Sequence, residues 1–194
     1  MTSPIRPEPE LASRYRIDAG ASRLTVKAFA GGLFSALAHN PTVAVQELSG
    51  DITVDPTATE RSSLVLTVNA ESLTVVGDVA EHDRPEVGRK MHDEVLESRR
   101  FPEIVYECSR VSASRTGEGL YWISLNGELS LHGETRSQVV TARVSIDETS
   151  LKASGDCTLR QSDYGIKLVS AAGGTVRVKD ELKLSFEIVA RRQD

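Results

Sequence analysis

The sequence VRVKDELKLSFEI, residues 176–188, alternates apolar and polar side chains with a period of two. Its apolar members are Val176, Val178, Leu182, Leu184, Phe186 and Ile188. Successive side chains of a strand point to opposite faces, so this alternation is typical of a strand with one face in a core and the other in water. The stretch therefore predicts one long, half-buried β-strand.

The same alternation recurs along most of the chain and predicts about eight strands. It runs through residues 24–28, 52–54, 64–68, 104–108, 121–131, 140–146 and 151–159. Turn-forming residues separate several of these stretches, so neighbouring strands can pair as antiparallel hairpins. Their apolar faces must converge on one core, and either a β-sandwich or a closed barrel satisfies that requirement.

One charged segment departs from the alternation. Val87, Met91 and Val95 recur every four residues with Leu96 beside them. This spacing predicts a short amphipathic helical segment near residues 84–99. We expect it to lie over one end of the sheet as a lid or plug.

Two further stretches are irregular. Residues 28–41 are apolar but sit between strands, and a loop of this kind is either buried or lines a pocket. Residues 1–13 contain prolines at positions 4, 7 and 9 and too little apolar surface to offset the entropy of ordering. We expect a disordered leader over residues 1–13 and a single β-barrel domain over residues 14–192.

Composition and charge exclude several kinds of function. The 194 residues suit one domain, and 23 basic against 28 acidic residues give a formal net charge of −5. Because duplex binding and electrostatic membrane docking both need a basic surface, neither nucleic acid nor an anionic membrane is an expected partner. No apolar run approaches the roughly 18 residues of a transmembrane helix.

The N-terminal sequence and the cysteines bear on location. The first residues contain no apolar core of the kind that a secretory signal needs, so we expect a cytoplasmic protein. Thiols stay reduced in that compartment. Cys108 and Cys157 both fall on apolar faces by parity, where free thiols behave as small hydrophobes.

The chemistry-bearing residues form no catalytic or metal-binding motif. The four histidines, His39, His82, His92 and His132, occur without His-x-x-x-His or Cys-x-x-Cys spacing. The chain also lacks Gly-x-Ser-x-Gly, and no pair of carboxylates stands out from its acidic background. We therefore expect neither an enzyme nor a metal site, and a metal- or haem-using protein stays as a further alternative.

Five pieces of sequence in order resemble the YceI-like family, the first of them in two parts. They are YRID at 15–18, ASRLTV at 21–26, LSGDI at 48–52, RFPEIVY at 100–106, LNGELSLHGETR at 125–136 and LRQSDYGI at 159–166. The resemblance covers residues 15–190. It implies a lipocalin-like, extended antiparallel eight-stranded barrel that buries a long isoprenoid or other lipid chain. Members often form homodimers and many are periplasmic, whereas the expectation from the N-terminal residues is a cytoplasmic protein.

The resemblance and the alternation together predict which residues contact the ligand. Along the inward faces, the expected ligand-binding residues are Leu24, Val26, Leu64, Leu66, Ile104, Tyr106, Leu129, Leu131, Leu184 and Phe186. At the mouth of the barrel they are Phe34, Leu37, His39, Met91 and Leu96. Only 5% of the residues are aromatic, and smaller aliphatic side chains leave room along the axis. We expect no cofactor apart from a bound isoprenoid or fatty-acid-like lipid.

A second interpretation is an interaction or stress-response module whose barrel is filled by its own side chains. Such a protein would act through its surface or as a dimer. The volume inside a barrel depends on how its strands close, so the sequence leaves both interpretations open.

Overall fold

The computed structural model describes residues 12–31, 40–77, 79–168, 170–171 and 176–193. The strands that precede the helical segment are β1 (Ser13–Ile17), β2 (Arg23–Lys27), β3 (Ala30–Gly31), β4 (Thr42–Val45), β5 (Leu48–Val54), β6 (Ser63–Asn69) and β7 (Leu73–Val76). The helix α1 (Arg84–Lys90) leads into one turn of π-helix at Met91–Val95. The strands that follow are β8 (Glu103–Gly117), β9 (Leu120–Leu131), β10 (Glu134–Ile146), β11 (Ser150–Arg160), β12 (Ser170–Ala171), β13 (Val176–Val178) and β14 (Glu181–Gln193). Short 3₁₀ turns occupy Ala19–Ala21, Thr59–Arg61, Ala70–Ser72 and Gln161–Tyr164.

Eight strands form a closed antiparallel ring in the order β1-β5-β6-β8-β9-β10-β11-β14. The ring closes because β14 pairs with β1, with Ile17 opposite Ala190. A closed ring leaves no unpaired edge strand. The prediction of an eight-stranded antiparallel barrel with one short helical segment is confirmed, and the sandwich alternative is not what the chain forms.

Three further strands lengthen the barrel at one end. The first half of β14 pairs with β2 instead of β1, with Phe186 opposite Leu24, and β4 and β7 continue the sheet from there. These strands follow β1, β5 and β6 in space after short breaks in the chain. The 3₁₀ turn at Ala19–Ala21 makes the first break and the one at Ala70–Ser72 makes another.

Residues 176–188 form parts of two strands instead of the one long strand that the sequence predicts. The chain bends at Lys179 and Asp180, so that β13 joins a small separate sheet with β12 and β3 while β14 starts at Glu181. Asp180 fixes the bend, because its carboxylate accepts hydrogen bonds from the backbone N–H and the hydroxyl of Ser162. The prediction of one continuous strand over this range is therefore wrong.

The helical segment begins where the sequence predicts but ends earlier. The α-helix starts at Arg84 with Pro85 in its first turn, and the π-helical turn ends at Val95. Glu97 adopts a left-handed backbone conformation with φ of +44°, which stops helix propagation. Residues 98–100 then form a turn that leads to β8. The predicted limit at residue 99 is therefore corrected to Val95.

Candidate ligand-binding cavity

The barrel encloses a cavity of about 1180 Å³. Inward-facing residues from all eight ring strands line it, and residues of the helical segment cover one end. Pockets for drug-sized ligands usually measure about 300–1000 Å³. The cavity is therefore large enough for a ligand longer than a typical small molecule.

The structure places the predicted ligand-binding residues around this cavity. Those within the described residues all line it, namely Leu24, Val26, Leu64, Leu66, Met91, Leu96, Ile104, Tyr106, Leu129, Leu131, Leu184 and Phe186. The other three, Phe34, Leu37 and His39, lie outside the described residues. Most of the leader, residues 1–11, lies outside them too, and β1 begins at Ser13.

The cavity wall is chemically uniform over most of its length. Its described lining is dominated by aliphatic side chains, and within it only Lys90, Asp147 and Arg192 carry a full charge. Lys90 ends α1, Asp147 follows β10, and Arg192 lies near the end of β14. All three are therefore at the ends of the barrel, and the middle offers a ligand apolar contacts.

The charged groups at the ends of the barrel are not among the residues predicted from the sequence. Arg192 has the same parity as Leu184 and Phe186 in β14, so extending the alternation by six residues identifies it as inward-facing. The parity of a strand does not predict the position of Asp147, because this residue lies in a turn. Its position depends on the pairing of β10 with β11.

Tyr106 supplies a polar group inside the barrel. Its hydroxyl oxygen lies 3.1 Å from the carbonyl oxygen of Leu125 and 3.0 Å from that of Gln138, and it donates its proton between them. Burial raises the pKa of Tyr106, and the nearby thiols of Cys108 and Cys157 raise it further. The hydroxyl therefore stays protonated and engaged with the barrel wall.

The two cysteines occupy different positions. Cys157 lines the cavity, while Cys108 is buried in the wall, and both are free thiols. Burial raises the pKa of each thiol, and the carboxylate of Asp156 adds to the effect at Cys157. Since the thiolate is the reactive form, both side chains act as small apolar groups at neutral pH.

Residues 84–96, here called the mouth segment, cover the end of the barrel that β2, β4 and β7 form. Val87, Met91, Val95 and Leu96 point into the cavity from this segment. These are the residues whose spacing predicts an amphipathic helix, so its apolar face is directed at the cavity.

Hydrogen bonds attach the mouth segment to the barrel. The imidazole Nε2 of His92 lies 3.0 Å from the carbonyl oxygen of Leu73 in β7. Just beyond the segment, a carboxylate oxygen of Glu97 lies 2.9 Å from Nε2 of His132, whose Nδ1 lies 3.2 Å from the carbonyl oxygen of Tyr164. Both nitrogens of His132 face acceptor oxygens, so both contacts are hydrogen bonds only when the ring is an imidazolium.

Two negative observations apply to the described part of the chain alone. Within it, no three histidine, cysteine or acidic side chains lie together in a way that could hold a metal ion. No helix there is long and apolar enough to span a membrane.

Several solved structures share the architecture of this chain. The crystal structure of Burkholderia cenocepacia BcnA superposes with a TM-score of 0.67 at 15% identity, covering 89% of this chain and 98% of that one. A polyisoprenoid-binding domain from Saccharophagus degradans gives a TM-score of 0.64 at 13% identity, with coverages of 92% and 98%. The Campylobacter jejuni YCEI protein gives 0.56 at 14% identity, with coverages of 81% and 88%.

Matches at these identities establish a common fold. No curated protein matches the sequence. The family model described as the YceI-like domain matches residues 15–190, which is nearly the whole chain. The chain therefore belongs to the YceI-like domain family.

Proposed function

We propose that the protein binds one long apolar molecule, an isoprenoid or another lipid chain, inside the barrel and carries or sequesters it without chemical change. The observation that carries this proposal is the cavity of about 1180 Å³ with an aliphatic wall. The solved neighbour from S. degradans is named as a polyisoprenoid-binding domain. That name supports the same ligand class here.

Burial of the chain supplies the affinity. Removing one methylene group from water is worth about 0.8 kcal/mol, so ten buried carbons supply roughly 8 kcal/mol before the cost of ordering the chain. Leu64, Leu66 and Leu184 face the cavity yet remain only partly buried, because they border empty space instead of other side chains. A ligand chain would cover this remaining apolar surface.

The size of the cavity argues against a barrel filled by its own side chains. Protein interiors are packed to near-crystalline density, and voids larger than a water molecule are few. A self-filled barrel would therefore leave no space on the scale of 1180 Å³. The binding interpretation accounts for the volume.

Native mass spectrometry of untagged protein, followed by solvent extraction of the same sample, tests the proposal. We expect an additional mass of several hundred daltons that is released on denaturation and is identified as a prenyl or acyl chain. A mass equal to that of the bare chain, unchanged after incubation with a lipid extract, would contradict the proposal.

A pair of variants locates the ligand. Leu66 points into the cavity, whereas its neighbour Val65 is 43% exposed on the outer face. Leu66→Trp should project an indole ring into the path of the ligand and weaken binding of a fluorescent prenyl probe at least about tenfold, while Val65→Trp should bind as the wild type does. Both variants should give the circular dichroism spectrum of the wild type. Equal binding by both would show that the ligand lies elsewhere.

A further inference from the structure

The cavity extends over the whole length of the barrel. At one end it reaches Val87 and Lys90 of the mouth segment. At the opposite end it reaches the last residues of β5 and β10 and the turns that follow them. We call this end the far rim, and its residues are Val54, Pro56, Thr59, Ile146, Asp147 and Arg192.

Both ends of the cavity carry charged lining residues that are exposed to solvent. Lys90 is exposed at the end covered by the mouth segment, and Asp147 and Arg192 are exposed at the far rim. Charged groups are stable where water reaches them and costly to bury alone. The placement of these three residues therefore marks two boundaries between the cavity and water.

The ring of Tyr106 does not block the space between the two ends. It packs against the barrel wall at Gly127, where a Cβ atom would come within 2.7 Å of the ring carbon Cζ. The hydrogen bonds of its hydroxyl to the carbonyl groups of Leu125 and Gln138 hold it there. The glycine thus creates a recess that keeps the ring out of the central space.

Phe186 is placed in the same way on another part of the wall. Its ring lies over Gly155 of β11, where a Cβ atom would come within 2.9 Å of the ring carbon Cζ. Gly155 is the register partner of Phe186. Two of the larger side chains that line the cavity therefore lie along its wall instead of across its axis.

Building on the proposed function, we infer that the cavity is a passage open at both ends and that a linear chain longer than the barrel leaves it through the far rim. Carbons inside the passage contribute to affinity and protruding carbons contribute nothing. Affinity should therefore rise with chain length, level off once the passage is filled, and not fall for longer chains.

Photocrosslinking with prenyl alcohols of two lengths tests the passage. Geranylgeraniol serves as the short probe and undecaprenol as the long one, each made with a diazirine at the hydroxyl end or at the opposite end. After irradiation, peptide mass spectrometry locates the insertions. For undecaprenol we expect one of the two chain ends to insert at the far rim, within residues 55–61 or 147–149.

Variants at the far rim provide the control. Ile146→Trp and Val54→Trp place a bulky ring at the exit, and each should reduce far-rim insertion of the long probe about tenfold. Lys152→Trp adds the same ring on the exposed outer face of the adjacent strand β11 and should leave that insertion unchanged. Two inward variants are used so that a folding defect in one does not decide the result.

Each outcome is informative. If neither end of undecaprenol inserts at the far rim, or if insertion there persists in both inward variants, the passage is wrong while lipid binding stands. If geranylgeraniol and undecaprenol both fail to bind the wild-type protein and no lipid is extracted from it, the proposed function is wrong and the passage with it.

Discussion

Asp147 shows how one side chain organises the turn at the far rim. Its carboxylate accepts hydrogen bonds from the backbone N–H groups of Thr149 and Ser150, at 2.9 and 2.7 Å, and from the hydroxyl of Ser150 at 2.8 Å. The hydroxyl of Ser150, and then the backbone N–H of Thr149, lower the pKa of Asp147 to about 2. The turn that links β10 to β11 thus depends on an ionised carboxylate.

The depressed pKa of Asp147 predicts a specific pH dependence. The ordinary value is 3.8, so the stabilisation is fully present above that pH and is lost as pH falls through the folded-state pKa of about 2. We expect the melting temperature of Asp147→Asn to lie below that of the wild type at pH 6, and the difference to shrink between pH 4 and pH 2. Calorimetry over this range measures it.

The neighbouring variant Glu148→Gln provides the control. Glu148 is exposed in the same turn, and its substitution should leave the difference from wild type constant across the same pH range. A difference for Asp147→Asn that does not shrink on acidification would show that the side chain acts through shape and not through its charge.

At the level of elements, the sequence predicts the ring strands well because alternation is a local property. Val140, Ala142 and Val144 face inward as their parity indicates. The separation of β13 from β14 is different, since it depends on Ser162, a residue distant in sequence, which hydrogen-bonds Asp180 at the bend. Sequence periodicity does not carry that information, so it does not predict the break.

The short strands β4 and β7 illustrate the same limit. Each has four residues, and each pairs with the other, with Val43 opposite Val75. Stretches of this length carry too little alternation to stand out. Their position follows from the breaks that redirect β5 and β6, and those breaks depend on tertiary contacts such as the hydrogen bond from Ala70 N–H to the carbonyl oxygen of Pro102.

The contact between Glu97 and His132 predicts how firmly the mouth segment is attached. The side chain of His132 is 13% exposed and that of Glu97 is 39% exposed, so water only partly screens the pair. A double-mutant cycle with Glu97→Gln and His132→Ala should give a coupling of about 1 kcal/mol at pH 6, between the ranges for exposed pairs and for charged hydrogen bonds.

Urea unfolding of the four proteins measures this coupling. As a comparison, the exposed pair formed by Glu86 and Lys90 within α1, with a separation of 3.0 Å, should give a coupling of at most about 0.5 kcal/mol. If the coupling between Glu97 and His132 is no larger than that within α1, their contact does not hold the mouth segment in place.

At the scale of the whole molecule, the volume of the cavity cannot be predicted from the sequence pattern. Its inward residues are identifiable from parity, but the space between them depends on closure of β14 against β1 and on where the large side chains lie. Tyr106 and Phe186 would fill part of the interior if they pointed toward its axis. They lie over Gly127 and Gly155 instead, and such pairings across strands are visible only in the folded barrel.

An open cavity should make the stability of the whole molecule depend on its ligand. A ligand that binds only the folded state at a concentration of 100 times its Kd adds about 2.7 kcal/mol. For a domain of this size that corresponds to a rise in melting temperature of about 5–10 °C. We expect this rise when delipidated protein is reloaded with its extracted lipid, measured by calorimetry.

The variant Leu66→Trp separates binding from a general effect of lipid on the protein. Because its indole ring occupies space that the chain needs, its melting temperature should not change when the same lipid is added, whereas Val65→Trp should respond as the wild type does. A similar rise in all three proteins would mean that the lipid stabilises the outer surface. The cavity would then be dispensable for binding, since only a ligand inside the barrel competes with a side chain placed there.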